Sequence, residues 1–154
     1  IIPAYINASH LNLLSGYWGA ILVYAALGTP FSTFLMTSYF RGLPDDLVEA
    51  SVIDGLSFSK IFLLIGLPLA VPAIVTVIVL QFIQVWDDLL VGLLFIQDPG
   101  YRTITVGLGA LAAGRVVDIP VLLAGSLISA IPAIVVYLIF QRQLVNGLTA
   151  GIGK

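Results

Sequence analysis

Long uncharged segments alternate with short polar ones along this chain. Residues 11–40 contain no charge, and aromatic residues at positions 17–18 and 39–40 bracket their apolar part, as aromatic residues do at the two faces of a membrane. About 20 residues suffice to cross the hydrocarbon core of a bilayer. Residues 17–40 therefore predict a complete membrane-spanning helix, and Pro30 near its middle predicts a kink.

Two further uncharged segments predict two more spans. Residues 61–86 carry no charge, and Pro68 and Pro72 lie in the first turns of this second span, where proline costs a helix least. Residues 119–141 form the last uncharged segment, with Pro132 inside it. The pattern indicates an all-α, polytopic membrane protein with about three full transmembrane helices.

The segments outside the spans are short and polar. We expect a loop over residues 7–15, a turn at residues 97–100, a short helix within residues 101–117 and a polar, glycine-punctuated tail from residue 142 onwards. His10 lies in the first loop, where no neighbour could share a metal ion with it.

Residues 41–66 form a loop between the first two spans, and Glu49–Gly55 is a short polar island within it. Pro44 suits the first position of a helix, and the acidic residues at positions 45 and 46 favour the positive end of the helix dipole. We expect this helix to end at Asp54, because Gly55 can adopt a left-handed conformation at little cost. A helix of about three turns is too short to span a membrane.

A second short helix is expected after the glycine. Ser57 can cap its start, and apolar residues then recur at the spacing of an amphipathic helix at positions 58, 61, 62 and 65. In the first helix Glu49 offers a charge to a basic partner, and the small side chains of Ala50 and Ser51 would let the helix enter a cleft. The alternative is an ordinary amphipathic loop helix at the membrane surface.

The composition supports a membrane protein. Hydrophobic residues make up 60% of the 154 residues and charged residues 9%, whereas soluble domains carry about 25% charged residues. The formal charge of −2 gives no indication of a nucleic-acid partner, and the chain has no cysteine and one histidine, so no cysteine or histidine-cluster metal site is expected. We expect a single transmembrane domain over residues 1–154, truncated at its N-terminus.

Basic residues predict the orientation in the membrane. Arg41 and Lys60 lie between the first two spans, and Arg142 and Lys154 follow the third on the same side. The two arginines at positions 102 and 115 lie on the opposite side. Because basic loops stay in the cytoplasm, the polar island and the C-terminus are expected there.

An acidic pair follows the second span. A helix that continues through residues 89–96 would place Asp87 and Asp88 inside the membrane or close to its outer edge. Ionisable residues at that depth are costly and usually face a pathway or a partner, and Trp86 beside them could stack on a sugar. The alternatives are aspartates at the outer interface or a structural pairing with one of the arginines 102 and 115.

The polar island and its surroundings resemble a known family. Glu49-Ala50-Ser51, Gly55 after three further residues, and Ile65-Gly66-Leu67-Pro68 after nine more resemble the EAA loop of permease subunits of binding-protein-dependent ABC importers. Residues 1–3 with 17–18, residues 31–44 and residues 141–151 are similar to the carbohydrate-uptake branch, which includes the maltose permease subunits. Ser51 stands where the family has a second alanine.

The resemblance implies a partial type I ABC importer permease fold, corresponding to the C-terminal half of a six-span subunit. It implies that residues 41–66 couple the permease to cytoplasmic ATPase subunits, with Glu49, Ala50, Ser51, Asp54 and Gly55, and with Leu67 and Pro68, as the coupling residues. The further partners implied are a second permease subunit and an extracytoplasmic solute-binding protein.

The resemblance also implies a sugar pathway near Trp86, Asp87 and Asp88, since a polar pair at this place lines the sugar site of one maltose permease subunit. This chain has Asp-Asp where an asparagine with an acidic residue is more usual. Gly153-Lys154 does not complete a phosphate-binding loop, so the chain is expected to be a transport subunit rather than an enzyme, with no cofactor of its own and ATP–Mg on the partner ATPase. Import of a polyol, glycerol phosphate or peptide, and a membrane scaffold without transport, remain alternatives.

Overall fold

The computed structural model describes residues 1–114 and 118–149, and side chains as far as residue 145. Helices occupy most of the described chain, which confirms the predicted all-α class. Their bounds are α1 Ile2–His10, α2 Trp18–Arg41, α3 Asp45–Ile53, α4 Phe58–Ile61, α5 Leu67–Leu69, α6 Val71–Asp87, α7 Leu90–Phe95, α8 Ile104–Ala112 and α9 Ile119–Thr149.

Within the described residues, two helices are long and apolar enough to cross a membrane by themselves, α2 and the Ile119–Val145 part of α9. A third span results if the segment Phe58–Leu69 and helix α6 are taken together, across a bend of 63°. Pro72 lies just beyond this bend and has no N–H to donate to the carbonyl four residues earlier, which weakens the helix there. The prediction of about three spans is confirmed.

One compact unit of the chain comprises Ile1–Thr29 and Gln81–Val136. Its core surrounds α7, where Phe95 is completely buried and Val91 is 2% exposed. A Cβ atom on Gly92 would lie 2.7 Å from Val106 Cγ2 of helix α8. Helix α7 can therefore approach α8 so closely only because residue 92 has no side chain.

A second compact unit comprises Pro30–Leu80 and the chain from Tyr137. The Tyr39 hydroxyl of α2 donates to the Leu69 carbonyl, 2.6 Å away, immediately before the 63° bend. Thr76 of α6 is fully buried, and its Oγ1 lies 3.0 Å from the Gln143 carbonyl of α9. These side chains connect α2 with α5, and α6 with α9, within the unit.

The second span does not continue as one helix through residues 89–96, the condition considered for the depth of the acidic pair. Helix α6 ends at Asp87, and a separate helix, α7, begins at Leu90. The Asp88 carboxylate accepts hydrogen bonds from the backbone amides of Val91 and Gly92. A carboxylate that caps the next helix competes with continuation of the preceding one.

Two other boundaries differ from the prediction. Residues 7–10, expected in a loop, belong to α1, which ends where Asn12 takes a left-handed conformation with φ of 55°. Asparagine tolerates that conformation better than most residues do. The last helix continues past residue 141 to Thr149, because the arginine, glutamine and leucine at positions 142–144 favour helix even though the arginine ends the uncharged run.

The short elements were predicted more closely. Pro99–Tyr101 forms a 3₁₀ turn in which Asp98 accepts from the Gly100 amide at 2.8 Å, as the turn signal indicated. Helix α8 lies within the segment where a short helix was expected. Arg115 and the last five residues lie outside the described residues.

Candidate functional site

Helix α3 forms the centre of the polar island. Asp45 and Asp46 lie in its first turn, where the helix dipole favours acidic side chains. Pro44 precedes the helix in an extended conformation, with φ −62° and ψ 130°, and takes the N-cap position. The prediction that Pro44 occupies the first helical position is therefore wrong by one residue.

The corner after α3 is a Schellman motif. Gly55 has φ of 75°, in the left-handed region. The Leu56 amide donates to the Ser51 carbonyl at 3.1 Å, and the Gly55 amide donates to the Val52 carbonyl at 3.0 Å. These two bonds satisfy carbonyls that the helix end would otherwise leave without partners. The predicted role of Gly55 as helix terminator is confirmed.

Ser51 faces inward rather than outward. Its side chain is 4% exposed, and its hydroxyl donates to the Leu47 carbonyl at 2.5 Å. Ala50, by contrast, is exposed. Of the two small residues predicted to enter a partner's cleft, Ala50 lies at the surface of this chain and Ser51 contributes to its interior.

The exposed surface of α3 and its corner is both acidic and apolar. The carboxylates of Glu49 and Asp54 are exposed, as are the two in the first turn. Ile53 is 85% exposed and Phe58 83%, on the two sides of Gly55. We call this surface, formed by residues 45–58, the coupling surface. The sequence predicted the charged residues and the glycine of this surface, but not that Ile53 and Phe58 are exposed together on it. Their positions on either side of a helix-ending glycine are the signal that could have indicated this.

The segment after the corner departs from the predicted amphipathic helix. Ser57 occupies the N-cap position, but its side chain makes no capping hydrogen bond within residues 1–114. After one turn the helix widens to a π-helix over Phe62–Gly66, so the predicted stripe does not stay on one face. Ile61 is 7% exposed while Phe62 is 46% exposed. Leu67 and Pro68, the last predicted coupling residues, are exposed in α5, just before the bend.

The second candidate site lies at the end of α6, in the other unit. The Trp86 indole donates from Nε1 to the Ser129 carbonyl at 2.9 Å. Its ring stacks on Phe82, with centroids 5.6 Å apart and planes inclined by 25°. Asp87 is exposed, and Asp88 is half-buried.

Asp88 has partners that the sequence did not indicate. Its Oδ2 accepts from the Tyr24 hydroxyl at 3.0 Å and from the Val91 amide at 2.7 Å. The sequence suggested one of two arginines as a structural partner of this acidic pair. In the structure, the partners of Asp88 are a tyrosine hydroxyl and two backbone amides at the start of α7. Tyr24 lies 64 residues away along the chain, so no local signal could have found it.

Comparison with known proteins agrees with an all-helical membrane protein. The family model described as "Binding-protein-dependent transport system inner membrane component" matches residues 6–149. The chain belongs to this family. The resemblance stated from the EAA-like residues is thereby confirmed, and the chain is an ABC permease by family, with helices suited to a multi-pass inner-membrane protein.

Relatives of the importer permease family cover nearly the whole chain. The probable ABC transporter permease protein YurM of Bacillus subtilis is 37% identical over 98% of this chain and 50% of its own length. The trehalose/maltose transport system permease protein MalG of Thermococcus litoralis is 40% identical over 92% of this chain and 51% of its own. The osmoprotective compounds uptake permease protein GgtD of Synechocystis is 37% identical over 98% of this chain and 51% of its own length. The chain thus spans about half the length of the curated relatives it matches.

Proposed function

We propose that this chain is a membrane-spanning part of the permease of an ATP-driven importer, and that the coupling surface docks onto a separate cytoplasmic ATPase subunit. The observation that carries the proposal is the exposure of Ile53 and Phe58 beside exposed carboxylates at the left-handed corner. Apolar side chains this exposed, next to charged ones and outside the long apolar helices, are typical of a protein-binding site.

The geometry supports transmission of force through this surface. Helix α3 is closed at its end by two backbone hydrogen bonds at Gly55, and Ser51 on its inner side is buried. Force applied to Ile53 or Phe58 would therefore move a well-defined helix rather than a loose loop. In this proposal the ATPase binds ATP–Mg, a second permease subunit completes the pathway, and a binding protein delivers solute on the outer side.

The proposal sets the sidedness of the chain. Arg41 and Lys60 flank the coupling surface, and Arg142 follows the last uncharged segment. Basic residues near the ends of spans favour the cytoplasmic side. The coupling surface and the end of α9 are therefore placed in the cytoplasm, where an ATPase subunit can reach the surface.

Carbohydrate is the proposed cargo. The Thermococcus litoralis relative is named for trehalose and maltose. Exposed Asp87 offers a carboxylate to sugar hydroxyls near the partly exposed ring of Trp86. An acidic pair disfavours an anionic solute through like-charge repulsion.

Charge reversal on the coupling surface tests the docking. In the full-length permease, Glu49→Lys should reduce co-purification with the ATPase by about tenfold if one charge-assisted contact is lost and a repulsive one is made. Glu49→Gln is the matched control, and it should reduce co-purification with the ATPase by less. Adding about 0.5 M salt to the purification should make the difference between Glu49→Gln and wild type smaller still, because salt screens the charge of Glu49. Intact complexes and intact ATP-driven uptake in Glu49→Lys and in Ile53→Asp would overturn the proposal and favour a membrane scaffold.

Import of an osmoprotective compound is the second candidate, favoured by the name of the Synechocystis relative, and a polyol serves as its probe. The two cargoes are distinguished by uptake of labelled maltose, trehalose and sorbitol into vesicles that contain the assembled transporter. Uptake of sorbitol alone would replace the carbohydrate assignment without affecting the role of the coupling surface.

A further inference from the structure

The segment that joins the coupling surface to α6 is not a regular helix. After the single turn of α4, the chain widens to a π-helix over Phe62–Gly66 and then forms the short helix α5. The 63° bend follows at Ala70, before α6 begins. A π-helix and a bend both interrupt the regular hydrogen bonds that stiffen an α-helix. The shape of this segment therefore depends on contacts from outside it.

Those contacts come from the last turn of α2. The ring of Phe40 lies 6.3 Å from the ring of Phe62, measured between centroids, and a Cβ atom on Gly66 would lie 3.6 Å from the Phe40 ring. At the other end of the segment, the Tyr39 hydroxyl donates to the Leu69 carbonyl at 2.6 Å. Two neighbouring residues of one helix thus contact the irregular segment at its start and at its end.

The bond from Tyr39 stabilises the bent form specifically. Helix α5 ends at Leu69, and the last carbonyls of a helix lack donors within it. An unpaired carbonyl is costly in an apolar environment, and the Tyr39 hydroxyl supplies the donor. In a straight helix the amide of Ala73 would serve this carbonyl, so the bond from Tyr39 favours the bent form over the straight one.

We propose that Tyr39, which lies outside the coupling surface, is a positioning residue that sets the angle between the coupling surface and the start of α6. This rests on the proposed importer function. Force on the coupling surface reaches α6 along the bent segment, and a segment that changes its angle freely would absorb part of the displacement. Because the Tyr39 bond holds the angle, the coupling surface and the start of α6 move together.

A distance measurement in the full-length permease tests the bend without transport. Lys60 and Ile78 are exposed on the two sides of the bend. The helical rise puts their Cα atoms about 23 Å apart across the 63° bend and about 27 Å apart along a straight helix. Spin labels on Lys60→Cys and Ile78→Cys, with any cysteine elsewhere replaced, distinguish the two forms. Tyr39→Phe should raise the ratio of straight to bent forms about three- to tenfold, the size of one neutral hydrogen bond.

Tyr137→Phe is the matched control. Tyr137 belongs to the same compact unit and is 52% exposed, and its hydroxyl has no hydrogen-bond partner among the described residues. Its loss should leave the distance distribution unchanged. Both substitutions keep the aromatic ring, so Tyr39→Phe retains the edge contact with Phe40 and should co-purify with the ATPase as the wild type does.

Uptake by the permease assembled with its ATPase and binding protein tests the positioning role. The probe is labelled maltose, trehalose or sorbitol, whichever the wild type imports. Tyr39→Phe should lower kcat about threefold and raise the ATP hydrolysed per solute by a similar factor. The KM should stay unchanged, because the bent segment lies in a different unit from the candidate solute site.

Two results would overturn the proposal. One is the same distance distribution in Tyr39→Phe and Tyr137→Phe, and the other is a straightened segment in Tyr39→Phe with wild-type kcat and wild-type ATP use per solute. If the wild-type complex shows no ATP-driven uptake, the importer function fails, while the distances still decide whether Tyr39 holds the bend.

Discussion

At the scale of single residues, a few backbone conformations and side-chain partners determine the candidate sites. Gly55 could be predicted from the sequence because a helix-ending glycine has a local signature. The inward orientation of Ser51 could not, because it depends on what α3 packs against and not on the size of residue 51. Asp88 shows the same limit, since its hydroxyl partner belongs to a helix 64 residues earlier in the chain.

Gly55 offers a prediction with a matched control. A Cβ atom there would meet nothing within 4 Å, so only the φ of 75° opposes a side chain. Gly55→Ala should therefore cost about 1–2 kcal/mol of stability, the left-handed penalty of an L-residue. Gly107 of α8 is equally unobstructed and has no such φ, so Gly107→Ala should be neutral or stabilising by up to about 1 kcal/mol.

Thermal unfolding of the two variants in detergent measures this difference. Equal effects at both positions would show that the left-handed corner is not retained in the protein. Co-purification with the ATPase should decrease in Gly55→Ala and stay unchanged in Gly107→Ala, because only the first lies on the coupling surface.

At the scale of helices, the sequence predicted the long spans well and the interruptions poorly. An uncharged run and its aromatic boundaries are local, so α2 was placed within a residue of its observed ends. The break between α6 and α7 depends on a carboxylate whose partners include a distant tyrosine. The π-helix over Phe62–Gly66 has no sequence signature that the apolar stripe could reveal.

Thr76 tests the link between α6 and α9. Its buried Oγ1 lies 3.0 Å from the Gln143 carbonyl and 2.9 Å from the Pro72 carbonyl. Thr76→Val keeps the shape and removes the hydroxyl, so it should lower the free energy of unfolding by about 0.6–1 kcal/mol. Thr29→Val is the control, because the Thr29 residue is exposed and its hydroxyl donates to the Ala25 carbonyl in its own helix. A loss of stability as large in the control as in Thr76→Val would contradict a specific link between the two helices.

At the scale of the whole molecule, the family and the membrane character were predictable, because the apolar composition and the stretches that resemble the family are spread over most of the chain. What the sequence could not predict is which apolar side chains remain uncovered. None of the residues in the most apolar window of α9 is buried. In a sequence this apolar, hydropathy alone cannot distinguish the apolar residues of the core from those that face lipid or another chain. Only the packing of the helices determines which residues are which.

The proposed sidedness can be measured directly, because these 154 residues contain no cysteine. With any cysteine elsewhere in the permease replaced, Phe58→Cys should react with a membrane-impermeant maleimide only in inside-out vesicles. Gly100→Cys, in the turn before α8, should react only in right-side-out vesicles. The opposite pattern would place the coupling surface outside the cell and contradict ATPase docking.

The bend before α6 also has a consequence for the surrounding lipid. Helix α6 has 17 residues, which at helical rise gives about 25 Å, less than the roughly 30 Å of a typical hydrocarbon core. The bilayer must become thinner around this helix, or the bent segment before it must enter the apolar layer, as its exposed leucines allow. Lipids with longer acyl chains would draw that segment inward and, with it, the coupling surface. The thickness of the membrane would then act on the permease at the surface where ATPase docking is proposed.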